Sequence, residues 1–309
     1  MAQAAWPFDR FHHVHLATKD MSSVEGFLRP LGLPLGEYNH PGRFIDPGDL
    51  DEEEFWATDY KFCRTKTGHV QFMSPHKPGG YRDFLNTHGN RVYSLGFEVE
   101  DADAAEAELV SRGLEVRVKG RHEDGWGFTY FDTLEKLGVY LCVRQSAANE
   151  AKSANSSSSG AFSTLHHVHI VVDDMDDVQR FLEGIGIVLS DYPHPGRFKL
   201  LEGLDEAAFW KLGYKHAECG PIHLQVMSPA DEDTGHKRFA AQYGRRVFSV
   251  GFVVDEIDRH EERLKSNGLE VLMKGRHEDG WGFTYFDTFR ELGVNLCIRC
   301  NPEASSDSK

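Results

Sequence analysis

The stretch GRHEDGWGFTYFDT occurs twice without change, at 120–133 and at 275–288. Laying the chain on itself extends the match. His13 falls on His167 and Gln71 on Gln225 at an offset of 154, while Ser94, His122 and Cys142 fall on Ser249, His277 and Cys297 at 155. A period this long marks a duplicated domain, not a solenoid of short repeats. The expected organisation is a domain over 8–145, a linker over 146–164, a second domain over 165–300 and a tail over 301–309. The linker's Ser, Ala, Asn and Gly residues read as a flexible tether, and the polar tail reads as disordered. Neither copy is visibly degenerate, so two equivalent sites are expected.

Bulk properties bound the function classes. The 309 residues suffice for two cores of about 150 residues each. A hydrophobic content of 40% with 12% aromatics supports burial in both. The formal charge of −15 argues against a protein that tracks nucleic-acid phosphates. No run of apolar residues is long enough to span a bilayer, and the N-terminus lacks a secretory pattern, so a cytoplasmic location is expected. Five cysteines, an odd number without CxxC spacing, argue against a disulfide framework or a cysteine zinc site.

Periodicity gives each copy the same order twice: strand, helix, then several strands. Residues 11–18 alternate as a strand, in which His13 and His15 share one face and His12 takes the other. Met21, Val24, Phe27 and Leu28 follow helical spacing up to Gly32, and Ala102, Ala105 and Leu109 do so up to Gly113. The fold class is therefore α+β, with four βαβββ modules in two tandem domains.

The segments HHVHLATKDM at 12–21, HVQFMSP at 69–75, YSLGFEVEDADAAEAELVSRGLEV at 93–116 and FTYFDTLEKLGVYLCV at 128–143, with their second-copy counterparts, resemble the vicinal oxygen chelate superfamily. That group includes glyoxalase I, methylmalonyl-CoA epimerase, bleomycin-resistance proteins and extradiol dioxygenases. The resemblance implies a cupped sheet around a divalent metal, with ligand positions at His13, Gln71, Ser94 and Cys142, and at His167, Gln225, Ser249 and Cys297. Ser and Cys depart from the usual His and Glu in both copies. If His13 and Gln71 face the cup, strand alternation turns His15 and His69 there too. The expected metal set is thus His13, His69 and Gln71, with His167, His223 and Gln225 in the second copy. Zn²⁺ suits such ligands best, with Fe²⁺, Mn²⁺, Co²⁺ or Ni²⁺ as alternatives.

Two further repeated elements offer chemistry. In GRHEDGWGF, Asp-Gly is a hairpin signal, while His122 and Glu123 (His277 and Glu278) pair an acid–base candidate with a carboxylate. His15 and His169 join them as catalytic candidates. Trp126 and Trp281 could stack on a planar substrate, and Arg43 and Arg197 of the two HPGRF turns could hold an anion. The resulting expectation is a metal-dependent isomerase, epimerase or lyase acting on a small oxygenated substrate, with a homodimer as one association state. A metal-free binding or resistance protein is the alternative. A ring-cleaving dioxygenase is disfavoured because it needs two His and one carboxylate.

Overall fold

The structure, a computed structural model, describes residues 7–38, 40, 42–146, 157–193, 196–229 and 235–301. Apolar alternation in FHHVHLA builds β1 (Phe11–Ala17), with Val14 and Leu16 buried on one face and His13 and His15 on the other. The Asp20 side chain accepts from the Ser23 amide and starts α1 (Met21–Leu28). The first module continues through β2 (Gly36–Glu37), β3 (Phe44–Asp46), α2 (Glu52–Trp56), β4 (Asp59–Arg64) and β5 (His69–Ser74). After α3 (Gly80–His88), the second module runs β6 (Arg91–Glu98), α4 (Ala102–Ser111), β7 (Val116–His122) and β8 (Gly127–Phe131). It closes with α5 (Leu134–Leu137) and β9 (Tyr140–Gln145).

The second copy repeats this order. Its strands are β10 (Leu165–Val171), β11 (Ser190–Asp191), β12 (Phe198–Glu202), β13 (Gly213–Cys219) and β14 (Ile222–Ser228), then β15 (Arg246–Val253), β16 (Val271–His277), β17 (Gly282–Phe286) and β18 (Asn295–Cys300). Its helices are α6 (Met175–Gly184), α7 (Glu206–Phe209), α8 (Gly235–Tyr243), α9 (Ile257–Ser266) and α10 (Phe289–Leu292). Each copy forms one nine-stranded sheet, in the order β2-β4-β5-β1-β6-β9-β8-β7-β3 and its exact counterpart β11-β13-β14-β10-β15-β18-β17-β16-β12. The α+β class and the tandem βαβββ modules are as expected. Among the described residues, no helix is long and apolar enough to cross a membrane.

The outer faces of both sheets, with α1, α4, α6 and α9, contribute to one apolar core that runs through both copies. Each concave face carries a separate aromatic cluster. The copies meet with pseudo-twofold reciprocity. Gly138 (φ 69) lies so close to the Arg245 carbonyl, and Gly293 (φ 70) to that of Asn90, that a Cβ would overlap the facing backbone. Lys136 and Arg245 both reach Asp177, at 3.1 and 2.8 Å.

The end of the expected tether is ordered. Phe162 is fully buried against the Phe252 ring, and the Ser158 and Ser159 amides bond the Arg64 and Gly32 carbonyls at 2.7 and 2.8 Å. A composition rich in Ser hid two apolar residues, Ala161 and Phe162, which bury area like any core residue. The rest of the tether from 147 to 156, and the tail beyond Asn301, lie outside the described residues.

Candidate small-molecule sites in the two cups

The geometry of each cup begins with a β-bulge. Phe11 pairs with Phe97 but His13 with Gly96, so His12 is an extra residue on β1. The expectation that His12 faces away from His13 is corrected by this bulge. Its ring nitrogen lies 2.8 Å from that of His13, and Arg144 donates to it. The bulge recurs in β10, where His166 and His167 ring nitrogens stand 3.1 Å apart. A Cβ at Gly96 would overlap the His13 ring, and one at Gly251 the His167 ring. These glycines let each imidazole lie flat over the neighbouring strand.

His13, His15 and Gln71 line an N-terminal cavity of about 40 Å³, together with His40, Tyr60, Trp126, Cys142 and Arg144. His167, His169 and Gln225 line its C-terminal counterpart of about 60 Å³, with Tyr192, Tyr214, His236, Trp281 and Arg299. His13 and His15 ring centroids are 5.8 Å apart. Unpartnered ring nitrogens remain on His13, His15 and His40, and on His167, His169 and His236. The Gln225 side-chain oxygen accepts from the Tyr214 hydroxyl at 2.6 Å.

Other expected site residues stand elsewhere. His69 pairs with His13 in the ladder, yet it is not among the residues lining the cavity. The bulged His12 ring packs on it at 4.5 Å, and Phe62 flanks it at 5.6 Å. His223 is likewise held between His166 and His216, at 4.8 and 5.6 Å. His122 is buried against Phe44 and Trp126, at 4.0 and 4.3 Å, and misses the N-terminal lining. His277 does line its cavity, with Nδ1 2.8 Å from the Gly196 carbonyl oxygen. Glu123, Glu278, Arg43 and Arg197 are exposed and line neither cavity. Their backbones form the turn itself, since the Glu123 and Glu278 amides bond the Arg43 and Arg197 carbonyls at 3.0 and 2.9 Å.

The sequence reading missed His40, His236, the tyrosines and the two arginines. Arg144 and Arg299 had a usable signal: they follow Cys142 and Cys297 by two residues, which puts them on the same face of the last strand. His40 and His236 had none, because a loop and a helix carry them over the cup.

Burial keeps these histidines neutral. It pushes His15 down to about 3, His122 to about 4 and His236 to about 4, and it holds His13, His167 and His169 well below the ordinary imidazole range. The Cys142 and Cys297 thiols are pushed up to about 12 by burial, so both stay protonated. Ser94 and Ser249 are fully buried. Among the described residues no Asp or Glu lines either cavity, whereas a buried arginine lines each one. Among the described residues, no group of three or more His, Cys, Asp or Glu side chains is placed to hold a metal ion. Neutral imidazoles can ligate a divalent cation, but the buried guanidinium beside each set, with no described carboxylate in the lining to offset it, disfavours a resident cation there.

The profile of the Glyoxalase/Bleomycin resistance protein/Dioxygenase superfamily matches residues 12–130 and again 166–285. The chain belongs to that superfamily, once in each copy. It is 22% identical over 282 residues to hemolysin VllY of Vibrio vulnificus (strain CMCP6), covering 85% of this chain and 72% of that protein. Its fold is similar to that of a mutant 4-hydroxymandelate synthase from Streptomyces coelicolor, with a TM-score of 0.65 and 14% identity, over 95% of this chain and 93% of that one. A xylose isomerase-like TIM barrel/4-hydroxyphenylpyruvate dioxygenase fusion protein matches at a TM-score of 0.59 and 14% identity, over 96% of this chain and 49% of that one. At these identities the likeness defines the fold alone.

Proposed function

We propose that each cup receives one small oxygenated organic molecule and holds it with neutral imidazoles, an amide and aromatic walls, without a resident divalent metal. The observation that carries this reading is the imidazole pair on the first strand of each copy. His13 and His15, like His167 and His169, keep unpartnered nitrogens on a wall that no Asp or Glu lines among the described residues. A neutral imidazole offers one donor and one acceptor, which suits a carbonyl or hydroxyl oxygen. Protein purified without chelators should carry far less than one metal ion per chain and bind small carbonyl compounds in calorimetry. His13→Ala and His167→Ala should each remove one binding event. One metal ion per cup would sink the proposal and restore the metal-dependent isomerase, epimerase or lyase expected from the sequence.

A catalytic variant of this reading has one contact in its favour. The His169 Nδ1 lies 3.4 Å from the Tyr285 hydroxyl. The neutral imidazole is the form able to accept a proton, and polar oxygens of a bound ligand would offset part of the desolvation that weakens it as a base, so that His169 could take a proton α to a carbonyl. Proton exchange from a bound ketone, followed by NMR in D₂O, tests this. Exchange that persists at full rate in His169→Ala would rule it out.

A further inference from the structure

The two cups differ in charge. Arg144 and Arg299 are both buried, at 3% and 6% exposure, and each lines its cavity. Glu98 stands 3.9 Å from both Arg144 and His12, beside the N-terminal cavity and outside its described lining. Its counterpart in the second copy is Val253. Arg299 donates only to neutral oxygens, the Tyr192 hydroxyl at 2.9 Å and the Asn301 side chain at 3.0 Å, and lies over the Trp281 ring at 4.6 Å. Among the described residues it is the only Lys or Arg lining that cavity. A guanidinium stays charged at any physiological pH, and an uncompensated buried charge is unfavourable. Among the described residues the C-terminal cup therefore presents a net positive charge, whereas both cations lining the N-terminal cup face carboxylates: Arg144 faces Glu98, and Lys61 is paired with Glu25 and Glu37 at 2.9 and 3.0 Å.

We propose that the C-terminal cup binds the carboxylate of a small organic acid with Arg299 as its anchor, while the N-terminal cup takes a neutral molecule. This deepens the small-molecule reading above and rests on it. A second donor is in place. The Gln225 oxygen already accepts from Tyr214, and its buried Nε2 has no partner and is left to donate. A carboxylate can accept from both groups, and charge-assisted bonds to a guanidinium are the strong ones. Trp281 and Tyr192 hold the guanidinium in place before the ligand arrives, which reduces the ordering cost of binding. The cavity is small, about 60 Å³, so the acid has few heavy atoms in this conformation.

The test is calorimetric titration of the full chain with acetate and pyruvate, and with acetamide as the neutral comparison. The expected result is one carboxylate per chain, bound roughly tenfold or more better than the amide. Arg299→Gln should remove that preference. Because removing a buried arginine can itself disturb folding, Val253→Glu is the second arm: it leaves the cavity wall intact and should abolish the preference by pairing Arg299. Glu98→Val should raise the count from one carboxylate to two. Two carboxylates per wild-type chain, no carboxylate binding, or an undiminished preference in Val253→Glu would overturn the proposal. A metal ion in each cup would strike the function reading itself. A metal-free chain that binds acetamide in both cups, and acetate no better, would defeat only this inference.

Discussion

The N-terminal and C-terminal cups share a backbone and differ in what lines it. Strand pairing is the same residue for residue: His13 opposite His69 and His15 opposite Gln71 in one, His167 opposite His223 and His169 opposite Gln225 in the other. Both bulges of the first strand pair recur at matching positions. Above this frame, Tyr81, Tyr93 and Tyr140 of the first copy become His236, Phe248 and Asn295, and Glu98 becomes Val253. The expectation of two equivalent sites is corrected by these exchanges. Register is fixed by the shared core on the outer face, where a one-residue slip would expose every apolar side chain. Substitutions on the concave face leave the register alone, so the two copies were free to diverge in ligand chemistry.

The comparison breaks hardest at the contact between copies. Gly138→Ala and Gly293→Ala each place a Cβ into the facing copy's backbone at a positive φ. Either change should cost about 3 kcal/mol in denaturant unfolding, combining overpacking with strain. Equal losses support a true pseudo-twofold interface; a loss in only one variant would show that one copy carries it. Next comes the glycine beneath each imidazole. Gly96→Ala and Gly251→Ala should displace the His13 and His167 rings and cost about 2 kcal/mol, visible as shifted imidazole resonances in NMR spectra.

A smaller effect should appear in one copy only. The buried Glu54 carboxylate accepts from the Tyr81 and Arg82 amides, at 3.1 and 2.7 Å, and so caps α3. The second copy has Ala208 there. Glu54→Ala should lose about 1–2 kcal/mol, with the extra hydrogen exchange confined to α3 and absent from α8. Smallest at neutral pH is the effect of His236. Its folded value of about 4 lies below that of an unfolded imidazole, near 6.5. As pH falls from 6.5 toward 4, the unfolded chain takes up a proton that the folded chain refuses, so stability drops. His236→Tyr should relieve that loss by about 1.4 kcal/mol per pH unit within this window and change little above it. An unchanged acid slope, measured by thermal melts from pH 7 to 5, would mean that the ring is hydrated in solution.

Much of the fold was legible in the sequence because its signals are local. The α+β order and the helix stops at Gly32 and Gly113 follow from periodicity and turn chemistry. The candidate site was only partly legible. His13, His15, Gln71 and Trp126 line the N-terminal cavity, whereas His69, Glu123 and Arg43 are not among its described lining residues. Strict alternation misplaced His12 because a bulge inserts one residue without leaving a mark in composition. The duplication, the modules and the strand faces away from the bulges were thus determined by the sequence alone, since each depends on neighbours a few residues apart or on the repeat itself. Which histidines share a cavity, which turn residues miss it, and which arginine keeps an uncompensated charge were decided by the tertiary structure. Those outcomes depend on contacts between strands and loops far apart in the chain, where close packing settles which groups lose water and which find a partner.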